Sequence, residues 1–172
     1  MARPNGAEKE KSSYPVGFEA HDHATCVHTA LQVADAHCAA KGLRFTSVRR
    51  KALEILLQEH RALGAYDLLE ILREEGFGSQ PTVAYRAIDF LVGNGFAHKV
   101  EKLNAFVACS KPGESHSPAF MICRTCDLVV EAISGPARSM IGKAANKVGF
   151  KIEKSVIEVE GICCSCAEQA NA

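Results

Sequence analysis

Two CxxC pairs, Cys123-x-x-Cys126 and Cys163-x-x-Cys166, stand 36 residues apart and constrain this chain more than any other feature in it. Each pair fits the short knuckle that presents two thiolates to one ion, and two pairs supply the four ligands of a tetrahedral zinc site. The stretch between them is too long for a compact zinc ribbon and must carry structure of its own. A closed four-thiolate site has no open coordination position for a reacting molecule, so it reads as a staple. Function must come from what the staple holds in place. Cys164, an extra thiol inside the second pair, could replace Cys163 as a ligand or be a site of oxidation.

Eight cysteines occur in a chain whose beginning lacks the apolar run of a signal peptide and which has no stretch of transmembrane length. This combination predicts a reducing compartment, metal ligation rather than disulfides, and a cytoplasmic location. The 172 residues, 47% of them hydrophobic, suit one or two small domains. Net charge is zero, but residues 41–53 hold Lys41, Arg44, Arg49, Arg50 and Lys51 with no acid, a local excess that suits a phosphate-facing surface.

Residues 1–24 read as a polar tail. His21, His23, Cys26 and His28 near its end form either a third metal site or a solvated tail running into a helix. A helical stripe from Ala24 to Ala40 ends near Lys41-Gly42. Thr46 is a candidate N-cap for a helix with Val48, Ala52, Ile55 and Leu56 on one face and Arg49, Arg50 and Lys51 on or beside the exposed one. A second helix spans Ala65–Glu75, with Leu68, Leu69 and Leu72 inward, and Gly76 and Gly78 stop it. A third starts around Thr82, with Val83, Ala87, Ile88, Leu91 and Val92 on its buried side. Phe96–Val100 and Asn104–Ala108 then read as a hairpin. Three compact helices and a hairpin make a winged helix-turn-helix, expected over residues 25–108, with its third helix in the DNA major groove.

Residues 109–118 suit a hinge. Beyond it, 119–172 read as a β-β-α-β unit: strands Ala119–Arg124, Asp127–Ile133 and Phe150–Gly161, and an amphipathic helix Pro136–Val148 carrying Met140, Ile141, Ala144 and Val148 on one side. The expected fold class is α+β, a winged helix followed by a small α/β dimerisation domain. So small a domain gains from a zinc staple tying its first and third strands, and from dimerisation through a sheet edge.

Four further metal-ligand types flank the hinge: His98 on the wing, Cys109 at its exit, His116 in the hinge and Glu131 on the second strand of the following domain. One ion held by all four would fix the two domains relative to one another, as a metal-controlled switch requires. The mixed set of thiolate, two imidazoles and carboxylate suits zinc. Each also has a plainer reading: Cys109 a core filler, His116 a loop residue, Glu131 a solvated strand residue, His98 a phosphate contact. Spacing alone leaves both open.

Arg44-Phe45-Thr46-Ser47-Val48-Arg49 resembles the R-x-T-x-x-R opening of the ferric uptake regulator (Fur) family. Ala65-Tyr66-Asp67-Leu68-Leu69, Tyr85-Arg86-Ala87-Ile88-Asp89-Phe90-Leu91 and Gly95-Phe96-Ala97-His98-Lys99-Val100 resemble its zinc uptake regulator branch, and the likeness runs from about Cys38 to Glu168. The resemblance implies a homodimeric winged-helix repressor that binds operator DNA when zinc-loaded, with two zinc ions per subunit. Cys123, Cys126, Cys163 and Cys166 fall on the structural zinc positions, and His98, Cys109, His116 and Glu131 on the regulatory ones. Arg44, Tyr66, Tyr85 and Arg86 fall on the DNA-facing positions. One departure is the string Thr82-Val83-Ala84-Tyr85-Arg86 where the family pattern is Thr-Val-Tyr-Arg, which displaces the threonine by one residue.

Other chemistries fit less well. No HExxH or comparable pattern accompanies the cysteines, and no CxxC heads a helix after a strand, so neither a zinc hydrolase nor a thiol oxidoreductase is expected. No membrane or small-molecule substrate is implied beyond the metal ion. The thiolate of Cys109 argues against manganese and, less firmly, iron. The remaining alternatives are a relative sensing iron, manganese or peroxide, and a structural zinc module without a switch.

Overall fold

The computed structural model describes residues 23–58, 62–78, 80–113, 116–132, 135–153 and 155–170. The polar tail and His21 lie outside these residues, as do the side chains of His23 and Cys26, and with them the third-site question.

Four helices come first: α1 His23–Ala40, α2 Ser47–Gln58, α3 Ala65–Glu74 and α4 Pro81–Gly93. Thr46 caps α2 as its sequence predicts, its Oγ1 accepting the Arg49 N–H at 3.4 Å. Asp67 caps α3 from inside by accepting the Gly64 N–H at 3.1 Å. Pro81 opens α4 at the first helical position, where its missing N–H has no partner to lose. These helices close around Ala34 and Cys38 of α1, Leu53 and Leu56 of α2, Leu68 and Leu72 of α3, and Ala84, Ala87, Ile88 and Leu91 of α4, with Phe96 at the centre. Each of the leucines and Ile88 contributes about 1.5–3 kcal/mol by leaving water. The α4 stripe runs through Ala84 rather than Val92, which is 37% exposed.

The chain then turns out of α4 through Gly95, whose φ of +72° lets the Phe96 N–H reach the Leu91 carbonyl at 2.8 Å. Strands β1 (Ala97–Val100) and β2 (Ala105–Ala108) pair antiparallel as the wing, with His98 opposite Val107. Leu63 adds a third rung, exchanging two backbone hydrogen bonds of 2.8 and 2.9 Å with Phe106. The wing is thereby tied to the segment leading into α3. Together these elements form the winged helix expected from the sequence.

Strands β3 (Ala119–Cys123), β4 (Val129–Ala132) and β5 (Ile157–Gly161) form one sheet in the order β4-β3-β5. β3 runs antiparallel to β4 and parallel to β5, the return being made through α5 (Gly135–Lys147). The parallel register sets Cys123 beside Gly161, which brings the two cysteine pairs to the same end of the sheet. A short helix α6 (Cys164–Ala170), which the sequence reading did not foresee, follows.

One expectation is corrected here. The third strand begins at Ile157 rather than Phe150, because Gly149 at φ +68° ends α5 in a turn that carries the Phe150 N–H back to the Ala145 carbonyl. Among the described residues, the apolar side chains of α5 and of the turn after it lie open: Met140 is 73% exposed, Val148 79% and Phe150 65%.

Candidate metal centres and nucleic-acid interface

Cys123 ends β3, and the chain doubles back through a tight turn in which Asp127, at φ +56°, donates its N–H to the Cys123 carbonyl at 3.0 Å. That turn presents Cys126 beside Cys123. Cys163 follows β5, and α6 carries Cys166 to the same point, so that the four sulfurs lie within 4.8 Å of one another. Sulfurs on a tetrahedral zinc, about 2.3 Å from it, stand about 3.8 Å apart. Cys126 and Cys163 are 3.7 Å apart. The Cys163 N–H donates to Cys123 Sγ at 3.3 Å. That donor lowers the Cys123 thiol to about 6, while the neighbouring sulfurs of Cys163 and Cys126 push Cys166 up to about 12. Four thiols this close cannot all ionise unless a cation sits among them, which is the chemical case for a metal here. Cys163 rather than Cys164 joins the cluster, and Cys164 is exposed at the start of α6.

The second cluster gathers His98, Cys109, His116 and Glu131, again within 4.8 Å. Its members come from β1, the exit of β2, the connecting segment and β4, so both halves of the molecule contribute. His116 Nε2 lies 2.7 Å from Glu131 Oε1 and 3.6 Å from Cys109 Sγ, and His98 Nε2 lies 3.6 Å from the same Glu131 oxygen. Glu131 Oε2 accepts the Ser110 N–H at 2.9 Å, and Cys109 Sγ accepts the Lys111 N–H at 3.3 Å. The two imidazole rings stand edge to face at 5.2 Å.

Burial lowers the pKa of His98 and favours its neutral form, and among the described residues its buried Nε2 has no hydrogen-bond partner. A neutral imidazole with an uncommitted buried nitrogen, aimed at a carboxylate and a thiol, fits a zinc ligand set. A cleft of about 850 Å³, lined by His98, His116, Lys99, Arg138 and Phe150 among others, opens beside the cluster and gives an ion a way in.

The residues expected to face DNA lie on the outer side of the helical half. Tyr66 on α3 is 69% exposed and meets Tyr85 of α4 edge to face at 6.4 Å. Arg86 follows on α4, and both it and Arg44 are exposed. The extra residue in Thr82-Val83-Ala84-Tyr85-Arg86 is absorbed without a break in the helix, with Ala84 turned into the core and Tyr85 outward.

The basic run beside them is another matter. Arg49 stacks its guanidinium 3.8 Å over the Phe90 ring and donates to the Arg44 carbonyl; Arg50 forks onto Asp35; Lys51 pairs with Glu54 and Glu75. Three charges expected at the exposed face thus brace the helices against one another. Sequence reasoning also passed over the role of Ser110, which anchors Glu131 by its backbone and which no side-chain pattern could have flagged. No helix among the described residues is long and apolar enough to cross a membrane.

No family model matches the chain. The zinc uptake regulation proteins of Escherichia coli (strain K12) and of Shigella flexneri are each 36% identical to it over 145 residues, spanning 84% of this chain and 85% of theirs. A solved zinc uptake regulator complexed with zinc and DNA is similar with a TM-score of 0.81 at 35% identity, covering 85% of this chain and 98% of that one. Holo XcZur is similar with a TM-score of 0.74 at 36% identity, covering 81% of this chain and 98% of that one. The Helicobacter pylori ferric uptake regulator, 16% identical with a TM-score of 0.54, shares the fold.

Proposed function

The chain belongs to the zinc uptake regulation protein family, and we propose that it is a zinc-responsive transcriptional repressor that binds operator DNA as a homodimer and controls genes for zinc uptake. In this reading residues 25–108 are the DNA-binding domain, 109–118 the hinge and 119–172 the dimerisation and metal-binding domain. Cys123, Cys126, Cys163 and Cys166 hold a structural zinc, and His98, Cys109, His116 and Glu131 a regulatory one. The protein is a regulator rather than an enzyme and works in the cytoplasm beside its DNA. The observation that carries the reading is the second cluster, whose four ligands come from both sides of the hinge.

The mechanism follows from where those side chains sit. Zinc supplies one cationic centre that a thiolate, two imidazoles and a carboxylate can share. Glu131 reaches it from the sheet and His98 from the wing, while Cys109 and His116 bracket the hinge. Their convergence favours a single arrangement of winged helix against sheet. A coupling of about 1–3 kcal/mol between metal and DNA changes operator affinity by roughly 5–150-fold. The exposed apolar side of α5, together with Val159 and Ile162 on and after edge strand β5, supports a second copy as the partner that covers them. The dimer then offers two α4 helices to two half-sites. Arg86 addresses a base edge or phosphate, Tyr66 and Tyr85 the adjoining backbone or thymine methyl groups, and Arg44 the minor groove.

The test is fluorescence anisotropy of a labelled duplex from a zinc-importer promoter or from the protein's own promoter, at fixed salt. The protein carries a filled four-cysteine site and is titrated against buffered free zinc, then iron, then manganese. Binding is expected to tighten with zinc and to lose that response in Cys109→Ser. Equal binding with and without zinc, or a Cys109→Ser protein that responds like wild type, would refute the assignment.

A further inference from the structure

Strand pairing sets Glu131 of β4, Phe120 of β3 and Glu158 of β5 side by side in one transverse row of the sheet, and neighbours in such a row project from the same face. All three meet the wing. Glu131 lies 3.6 Å from His98. Phe120 packs in one buried cluster with Val100 and Val107, its ring centroid 5.9 Å from that of His98. Glu158 accepts two successive backbone N–H groups of the wing turn, Glu101 to Oε1 at 2.6 Å and Lys102 to Oε2 at 3.0 Å. Beside this, Lys102 Nζ pairs with Glu160 of the same strand.

The spans agree. Two strand steps from β4 to β5 cover about 9.6 Å, and three residues along β1 from His98 to Glu101 about 10 Å. The wing strand therefore lies across the sheet, with the mixed cluster at one end and Glu158 at the other. A body attached at one point can swivel, whereas attachment at two points this far apart sets its direction. A carboxylate suits the second point because each of its two oxygens accepts one N–H with charge assistance, where an amide side chain offers a single, neutral acceptor oxygen.

We propose that Glu158 is a positioning residue for the zinc response: it pins the wing turn to the sheet so that ligation at the His98 end orients α4. The inference rests on the zinc-responsive reading given above and deepens it. It makes the metal cluster one half of a two-point mount.

The test compares the full-length wild type with Glu158→Gln and Glu158→Ala, each with zinc in the four-cysteine site. Without DNA, amide exchange at Glu101 and Lys102 should be at least tenfold faster in the alanine variant and intermediate in glutamine, which keeps one acceptor. Amides of β3 should be unchanged. Cobalt added to the second cluster should keep its thiolate absorption in both variants. At saturating zinc the alanine variant should bind the duplex about tenfold more weakly, with partial recovery in glutamine. Unchanged exchange at the two amides would overturn the pin. Fast exchange with wild-type DNA binding would overturn its positioning role, and so would loss of the cobalt signal, since Glu158 would then be assembling the site. A wild type indifferent to zinc would instead sink the functional reading beneath it.

Discussion

The two clusters each converge four ligands within the same 4.8 Å, yet they differ in chemistry and origin. The first is all sulfur, drawn from the ends of neighbouring strands and the helix after them. All four cysteines gather at one end of one small sheet, on β3, on the turn after it, after β5 and on α6. The second mixes sulfur, nitrogen and oxygen and draws on the wing, the connecting segment and the sheet. Three of its members, Cys109, His116 and Glu131, already have partners among themselves and in the backbone. Removing an ion from the first leaves thiols crowded together with little else to hold them. Removing one from the second leaves a set of hydrogen bonds. On the proposed assignment, the origin of the ligands separates a cluster that completes a domain from one that relates two domains.

The largest expected effect comes from breaking the all-sulfur cluster. Cys163→Ser should lose one zinc per chain and unfold the sheet while α1–α4 keep their helical signal. Structural zinc binding is worth about 10–16 kcal/mol in small domains, more than a sheet of this size holds in reserve. Metal analysis and amide exchange across β3–β5 would check this, and a protected sheet in the variant would mean that the cluster is not a staple.

Breaking the mixed cluster should cost less and cost it elsewhere. His98→Ala should keep the fold and the first zinc but forfeit the zinc-dependent part of DNA affinity, about 1–3 kcal/mol, measured as anisotropy against buffered zinc. A variant that unfolds would place His98 in the architecture rather than the response. The smallest effect is expected at Cys164, one residue from a ligand but pointing to solvent. Cys164→Ser should move stability by less than about 0.5 kcal/mol and leave zinc content unchanged. Any loss of metal would mean that Cys164 and Cys163 exchange roles.

The four cysteines were legible as a set of ligand types, because paired CxxC knuckles have few other uses, whereas His98, Cys109, His116 and Glu131 each kept a plainer reading that spacing could not remove. Convergence was legible for neither set, since it depends on the parallel register of β3 and β5 and on how the wing folds back. The winged helix was readable from apolar spacing and glycine stops, within limits. Val92 and Ala84 both fit a helical stripe, and only the angle of α4 against α2 and α3 decides between them. The apolar side of α5 was legible as such, but what covers it was not, because an amphipathic pattern looks the same whether its cover is this chain or another copy of it. Arg49, Arg50 and Lys51 read as a solvated basic face until Phe90, Asp35, Glu54 and Glu75 were brought beside them. Glu158 was invisible for the opposite reason: an acid on an edge strand reads as surface, and its two backbone donors lie more than fifty residues earlier.

The parallel pairing of β3 with β5 also sets an order of events when the chain first folds. The helical half is built from neighbouring segments and can form as soon as it leaves the ribosome. The sheet must wait for β5, the whole length of α5 having been made and turned back before the strands can meet, and such loop closure is slow and entropically costly. The two halves of the sulfur cluster arrive with those strands, so metal and strand pairing become one step. A cell short of zinc would on this account make fewer competent copies of its own sensor, and the supply of the ion would be read once at birth before it is ever read at the operator.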